Sequence, residues 1–182
     1  MSRLYRNGLR LAIIAAVLLL QACATWNPNR KSETEQSSKE TVAAFKREDP
    51  SMKKFFDAAY AYAVFPTVGK GAIGIGGAHG QGAVFHRGAM VGYTSLTQVT
   101  VGFQLGGQAY SEIIFFKDKA RFDNFKNGNL KFSAQASAVA ATAGAAATAN
   151  YENGIAVFTL VKGGLMYEAS IGGQGFSYEP LK

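Results

Sequence analysis

Gln98-Val99-Thr100-Val101-Gly102-Phe103-Gln104-Leu105 alternates without a break: Val99, Val101, Phe103 and Leu105 share one face, and Gln98, Thr100, Gly102 and Gln104 share the other. Successive side chains of a strand point to opposite sides, so this stretch predicts a β-strand with one core face and one wet face. Downstream, Gly106-Gly107 predicts a turn into a second strand, Gln108 to Phe116, rich in aromatic and β-branched residues. Upstream, Ala61 to Phe65 has the same twofold period and is expected to stop at Pro66. Glycine then recurs at Gly69, Gly71, Gly74, Gly76, Gly80 and Gly82 between Ala72, Ile73, Ile75, Ala83, Val84 and Phe85. Because glycine weakens a strand, such repeated use predicts bulges, tight coiling or the close approach of another layer.

Helical signals flank this block. Asp49-Pro50-Ser51 reads as a helix start, since proline is tolerated in the first turn and Asp or Ser can cap the free amides. Met52, Phe55, Phe56 and Ala59 then fall on one helical face, with Lys53, Lys54 and Asp57 opposite. Asp118 to Lys126 predicts a single helix inserted between strands, with Asp118 as cap, Phe122 and Phe125 on one face and Asn127-Gly128 as the stop. From Lys131 to Asn150 the alanines favour helix while the alternation of Phe132, Ala134, Ala136 and Ala138 favours strand, and strand is the reading adopted. Ile155 to Val161 and Leu165 to Ile171 around Gly163-Gly164 predict a hairpin, and Gly175 to Tyr178 a last strand. The expected fold is α+β and β-dominated: a coiled antiparallel sheet forming a sandwich or barrel, with a few short helices.

The N-terminus carries a different message. Arg3, Arg6 and Arg10 precede the apolar run Leu11 to Leu20, and Gln21, Ala22 and Cys23 follow. Charged region, apolar region and small-residue cut site stand in the order of a secretory signal. The apolar run is about half the roughly 20 residues needed to span a bilayer. Leu20-Gln21-Ala22-Cys23 resembles the lipobox of bacterial lipoproteins, whose cysteine is acylated and becomes the new N-terminus; Gln21 is an uncommon residue at its position. Cys23 is the single cysteine of the chain, so it has no disulfide partner here. The expected organisation is a lipoprotein signal over residues 1–22, an acylated Cys23 with a polar tether over 23–48, and a folded domain over 49–182. Within the tether, Thr34 to Arg47 is expected to form a helix around Val42, Ala43, Ala44 and Phe45.

The signal holds three of the 19 Lys and Arg, so the remainder carries 16 against 12 acids, a balance of +4 with His neutral. That mild excess suits an anionic membrane surface, and no basic run marks a nucleic-acid arm. Gly69-Lys70-Gly71-Ala72-Ile73-Gly74 has dinucleotide-loop spacing, but no amphipathic helix follows and no acid lies about 20 residues on. Val64 occupies the place of the first glycine of a phosphate loop. Between Ala58 and Ser111 there is no Asp or Glu. His79 and His86 therefore lack an acid or thiol partner, and neither catalysis nor a metal centre nor a cofactor is expected. Glu112 follows Tyr110 in strand phase, which would suit a buried acid, but an outward-facing residue is the reading adopted. A binding role fits better. Lys53, Lys54, Lys70, His86 and Arg87 lie near Phe55, Phe56, Tyr60, Tyr62 and Phe65 in sequence, and a helix with a basic flank and an aromatic face can lie in a bilayer interface. The alternative, that Met52, Phe55 and Phe56 dock on the sheet, is favoured by periodicity alone.

Taken in order, Ala61-Tyr62-Ala63-Val64-Phe65-Pro66, Lys70-Gly71, Ile75-Gly76-Gly77, Gly80-Gln81-Gly82, Gly102 to Gly107 and Gly163-Gly164-Leu165 resemble the SYLF domain, in its bacterial lipoprotein branch. The resemblance covers roughly Asp49 to Tyr178. It implies a lipid-binding domain that meets anionic phospholipid through an amphipathic N-terminal helix and basic residues; by position, these are the helix Ser51 to Ala59 and the segment Phe65 to Lys70. Some fungal members bind actin, which has no counterpart in a bacterial envelope. The candidate lipid contacts are Lys53, Lys54, Phe55, Phe56, Lys70 and Arg87, with Cys23 as the lipid attachment site. The second function considered is that of a structural envelope protein, or one that binds a protein partner, without lipid specificity. Ala24 after the cysteine is not the Asp of an inner-membrane retention signal, which points to the outer membrane, facing the periplasm.

Overall fold

A computed structural model of the chain describes residues 28–132, 137–163 and 169–181. The chain divides into two units, residues 1–32 and 33–182; of the first, only Pro28 to Ser32, the opening of a helix, is described. The elements run in the order α1 (Pro28–Glu48), a 3₁₀ turn (Pro50–Met52), α2 (Lys53–Ala58), β1 (Ala61–His86), β2 (Ala89–Phe116), α3 (Lys119–Lys126), β3 (Ser137–Ala140), α4 (Ala145–Thr148), β4 (Ile155–Gly163), β5 (Ala169–Ser170) and β6 (Gln174–Pro180). The fold is α+β and β-dominated, as expected. The sheet is mixed, however: β3 lies parallel to β4, while the other pairings are antiparallel. Strand order is β1-β2-β4-β3-β5, with β6 beside β2, and among the described residues the sheet does not close into a barrel.

β1 and β2 form one long hairpin, paired from Ala61↔Phe116 to His86↔Ala89. Its turn is Arg87-Gly88, both at positive φ (50° and 81°), as a two-residue turn matched to strand twist requires. Two expected breaks are therefore absent. Pro66 does not end the strand, because the ladder shifts register between Phe65 and Val68 and a bulge is where a strand tolerates proline. Gly106-Gly107 does not turn the chain: Gly107 faces Gly71 within the continuous ladder.

Between Ile73 and Ile75 the pairing leaves three residues of β2 opposite one of β1, so β2 takes the outer arc and the hairpin bends. The half beyond the bend doubles back over the half before it. Tyr62 stacks on Phe85 at 5.1 Å, and Tyr60 lies 4.4 Å from the His86 ring. At the crossing the backbones nearly touch. A Cβ on Gly82 would sit 2.2 Å from the Val64 carbonyl oxygen, and one on Gly80 would sit 2.9 Å from Val68 Cγ2. The close approach of another layer is thus the reason for these two glycines. β4 pairs with the near half of β2 and β6 with its far half, extending both layers.

Two apolar clusters result. Between the layers lie Ala63, Phe65, Tyr110, Ile114, Phe116, Val84 and Leu96, closed by Phe122 and Phe125 of α3. On the other face, Val64, Ile113, Phe115 and Phe158 are covered by Phe45 of α1, Met52, Phe55 of α2, and Ala141 and Ala146. α1 starts earlier than expected, with proline in its first turn and the pairs Lys39–Glu35 (2.7 Å) and Gln36–Glu40 (2.8 Å) along its exposed side. α3 keeps its expected cap, Asp118 accepting from the Arg121 amide at 2.9 Å, and its stop at Gly128 (φ 69°).

Asp49 does more than cap. Its buried carboxylate accepts from Ser51 N (3.0 Å) and Ser51 Oγ (2.6 Å), and also from Gly144 N (3.1 Å) and Ala146 N (2.7 Å). Burial pushes its pKa up, but these hydrogen bonds outweigh burial and leave the carboxyl below its ordinary value. The alanine-rich stretch is thereby held as a short strand, Ser137–Ala140, and one helical turn, Ala145–Thr148, where strand alone was expected; residues 133–136 lie outside the described residues. The expected hairpin around Gly163-Gly164 falls partly there too, since 164–168 are not described, and Ala169–Ser170 pairs with β3.

Glu112 corrects another expectation, because both faces of the near half of β2 are covered and no outward side exists. Its side chain is fully buried and accepts from Gln174 Nε2 at 3.1 Å, a polar link between the two layers. Gln174 itself pairs in register with Gln98, whose Nε2 donates to the Gly172 carbonyl at 2.8 Å. Burial pushes the Glu112 carboxyl up to about 8, and the Gln174 hydrogen bond only partly offsets this. Burial and the Glu112 charge likewise raise the Tyr110 hydroxyl.

The crossing predicts opposite outcomes at two glycines. Gly82→Ala is expected to cost about 2–3 kcal/mol from overpacking against backbone, whereas Gly69→Ala, with nothing within 4 Å of the added carbon, is expected to be neutral or slightly stabilising. Urea midpoints of the chain from Ala24 onward read both; equal effects would remove the crossing as the cause. A second prediction concerns Glu112, whose folded pKa lies above the unfolded value of roughly 4.3. Below that value both states hold the proton. As pH rises toward 8 only the folded state does, so stability falls by about 1.4 kcal/mol per pH unit. Glu112→Gln should flatten the decline in urea midpoint between pH 5 and pH 8, and an unchanged slope would show that the acid is ionised in the fold.

Candidate functional site

The expected lipid contacts do not gather in one place. Phe55 is 2% exposed and packs on Phe158 (4.9 Å), Tyr151 (5.2 Å) and Phe115 (5.5 Å), so it belongs to the core. Docking of this helix on the sheet is what the structure shows. Lys54 is also engaged within the protein: its Nζ donates to the Ala147 and Ala149 carbonyls at 2.9 and 3.0 Å, holding the end of α4. Lys70 is paired with Gln108 nine residues along β1 from Ala61, roughly 30 Å away at strand rise. Burial holds its pKa below the ordinary value. Cys23 lies outside the described residues.

Lys53, Phe56 and Arg87 do come together, because the hairpin returns its turn to the end where β1 begins. Phe56 is half-buried, edge-on to Tyr62 at 5.3 Å, and Tyr62 stacks on Phe85. Lys46, from the last turn of α1, places Nζ 4.5 Å from the Phe56 ring centre. Met90, opposite Phe85 in the ladder, is half-buried, and exposed Arg87 follows two residues after Phe85. Lys53 is exposed and paired with Asp57 along α2. The result is a patch of half-buried rings and one thioether with Lys46 over it, and with Lys53 and Arg87 exposed at the same end. Lys46 and Met90 were missed at the level of sequence: Lys46 belongs to a segment read as tether, and Met90 is placed by a turn that only the Arg87-Gly88 geometry reveals.

Among the described residues neither histidine forms a hydrogen bond or ion pair with an acid, although Glu40 lines the same hollow as His79. His86 is stacked between Tyr60 and Phe122, and His79 lines a hollow of about 760 Å³ beneath α1 with Gln81 and Lys162. The Gly69 to Gly74 segment is continuous strand, so the helix that a dinucleotide loop needs is absent from it. Among the described residues no group of three His, Cys, Asp or Glu could hold a metal, and no helix is long and apolar enough to cross a membrane.

Residues 97–179, from the far half of β2 to β6, match the model of the Ysc84 family, described as "Las17-binding protein actin regulator". Proteins of this family bind lipids and actin. The protein called "Beta cell expansion factor A" from Aeromonas veronii is 33% identical over 130 residues, which are 71% of this chain and 49% of that protein. This chain thus spans about half the length of that relative. With the glycine motifs from Ala61 to Gly107 falling on one doubled-back hairpin, and the family match covering the strands that pair with it, the chain belongs to the Ysc84, or SYLF, domain family.

Proposed function

We propose that this protein is a lipid-anchored component of the bacterial envelope whose domain binds anionic phospholipid headgroups without catalysing a reaction. The supporting observation is the patch near the hairpin turn, where Lys46 lies over Phe56, Phe56 meets Tyr62 edge-on, and exposed Lys53 and Arg87 stand at the same end. Rings and thioether suit the interfacial zone, and the cations suit phosphate. Carboxylates also stand at this end, among them Asp57, which pairs with Lys53, and Glu48, the last residue of α1. The anchor reading rests on Arg3, Arg6, Arg10, the Leu11 to Leu20 run and Cys23. The outer membrane, with the domain in the periplasm, is the location that fits Ala24.

Each cation near an anionic surface contributes about 1 kcal/mol, so replacing Lys46, Lys53 and Arg87 together by Gln should lower partitioning onto phosphatidylglycerol vesicles on the order of 100-fold. Sedimentation of the chain from Ala24 onward reads this directly. Equal pelleting of the unaltered chain with neutral and anionic vesicles would sink the headgroup reading. For the anchor, Cys23→Ala is expected to abolish incorporation of a labelled palmitate analogue in cells and to block maturation, and retained label would place acylation elsewhere. A protein-partner reading draws on Val99 and Val161, exposed by 64% and 43%. Crosslinking from Val161 in intact cells to one recurrent protein, with no vesicle binding, would favour that reading.

A further inference from the structure

β4 begins at Ile155, and among the described residues its pairing with β3 is at Phe158 and Thr159, opposite Val139 and Ala140. A pocket of about 660 Å³ lies beside the first residues of β4, within the range of sites that hold one small ligand. Its floor is aliphatic and aromatic, drawn from the edge of the core: Leu130 and Val157 are nearly buried, and Phe132, Val139 and Ile155 are half-buried. Its mouth is of opposite character. Arg121 and Asn124 project from α3, Asn129 and Lys131 from the segment after it, and Asn150 and Asn153 from the turn before β4. Asn153 and Gly154 both adopt positive φ (51° and 79°), and Arg121 lies across Gly154, where an added Cβ would meet its Cγ at 3.0 Å. The glycine therefore fixes the path of the arginine side chain over the turn.

Charge decides what this pocket would take. Among the described residues neither Arg121 nor Lys131 enters an ion pair, whereas Lys119 and Lys126 of the same region are both paired with Asp123. The single acid at the mouth is Glu152, whose backbone is tied to Ile155. Two unpaired cations and four amides above an apolar floor complement a molecule with an anionic head, further hydrogen-bonding groups and one apolar chain. A membrane surface would not reach this floor, and a purely polar ligand would leave it unused.

We propose that this pocket binds one molecule of a single-chain anionic amphiphile, a lysophospholipid or a fatty acid, with its head at Arg121 and Lys131 and its chain against Leu130, Val139 and Ile155. The site is separate from the patch at the hairpin turn, and either can fail without the other. Isothermal titration of the chain from Ala24 onward, with dodecyl phosphate, laurate and dodecyl maltoside each below its micelle threshold, tests it. One-to-one binding of dodecyl phosphate or laurate, at least tenfold tighter than that of dodecyl maltoside, is expected. Preference for the phosphate assigns a lysophospholipid, and preference for laurate a fatty acid. Arg121→Gln with Lys131→Gln should weaken binding at least tenfold, and Val139→Phe should block the floor, with unchanged thermal unfolding confirming the fold of each. The Lys46, Lys53 and Arg87 variant should bind the amphiphile normally. Absence of one-to-one binding, equal affinity for the uncharged detergent, or binding unaffected by all three pocket substitutions would overturn the proposal.

Discussion

The architecture depends on one steric allowance: β1 crosses over itself where Gly80 and Gly82 present hydrogen in place of a side chain to Val68 and the Val64 carbonyl. Without that clearance the two halves of the hairpin could not lie against each other. Once they do, the near half of β2 has a layer on each side, Glu112 is sealed between layers, and the turn at Arg87 is carried back beside α2. The bend itself requires a longer outer path, which the three-against-one mismatch around Ile73 and Ile75 supplies. Glycine is costly in an isolated strand. Here the apolar surface buried between the layers offsets that cost.

Local chemistry was legible from the residues, and long-range geometry was less so. The caps at Asp49 and Asp118, the stop at Gly128, the inward face of Met52 and Phe55, and the last strand all follow from interactions within a few residues of chain. The failures share a cause. Pro66 and Gly106-Gly107 look like breaks because proline lacks a donor and glycine pairs favour turns, yet a ladder of this length carries them through as a bulge and as facing glycines. Glu112 was assigned to solvent because alternation implies a wet face, but a strand in the middle of a doubled-back hairpin has none. Lys54 looked free because the carbonyls it holds lie more than 90 residues away.

The same distinction divides the candidate site. An aromatic, basic helix was visible at Lys53 to Phe56; that Phe55 is spent on the core while Phe56 stays half-exposed depends on how the helix docks. The cations of one end come from three separate segments, α1, α2 and the hairpin turn, and only the fold brings those segments to the same end. Lys70, equally basic in sequence, is carried to the other end by the strand that bears it. A surface that meets a bilayer and a pocket that holds one molecule would answer to different forms of lipid, the first to an assembled surface and the second to a monomer.

α1 has mechanical meaning for anything attached ahead of it. From Glu33 to Ala44 its fully buried positions are the small polar Ser38 and Thr41, above a hollow, with Val42 packed half-buried on the sheet cluster, while Phe45 and the Asp49 carboxylate are its deepest attachments. A pull through the N-terminal segment would peel the helix turn by turn and then stop at Phe45. Those 12 residues, drawn from helical to extended spacing, lengthen by about 20 Å. Load passed through that segment would thus lengthen α1 before it reached the layered core.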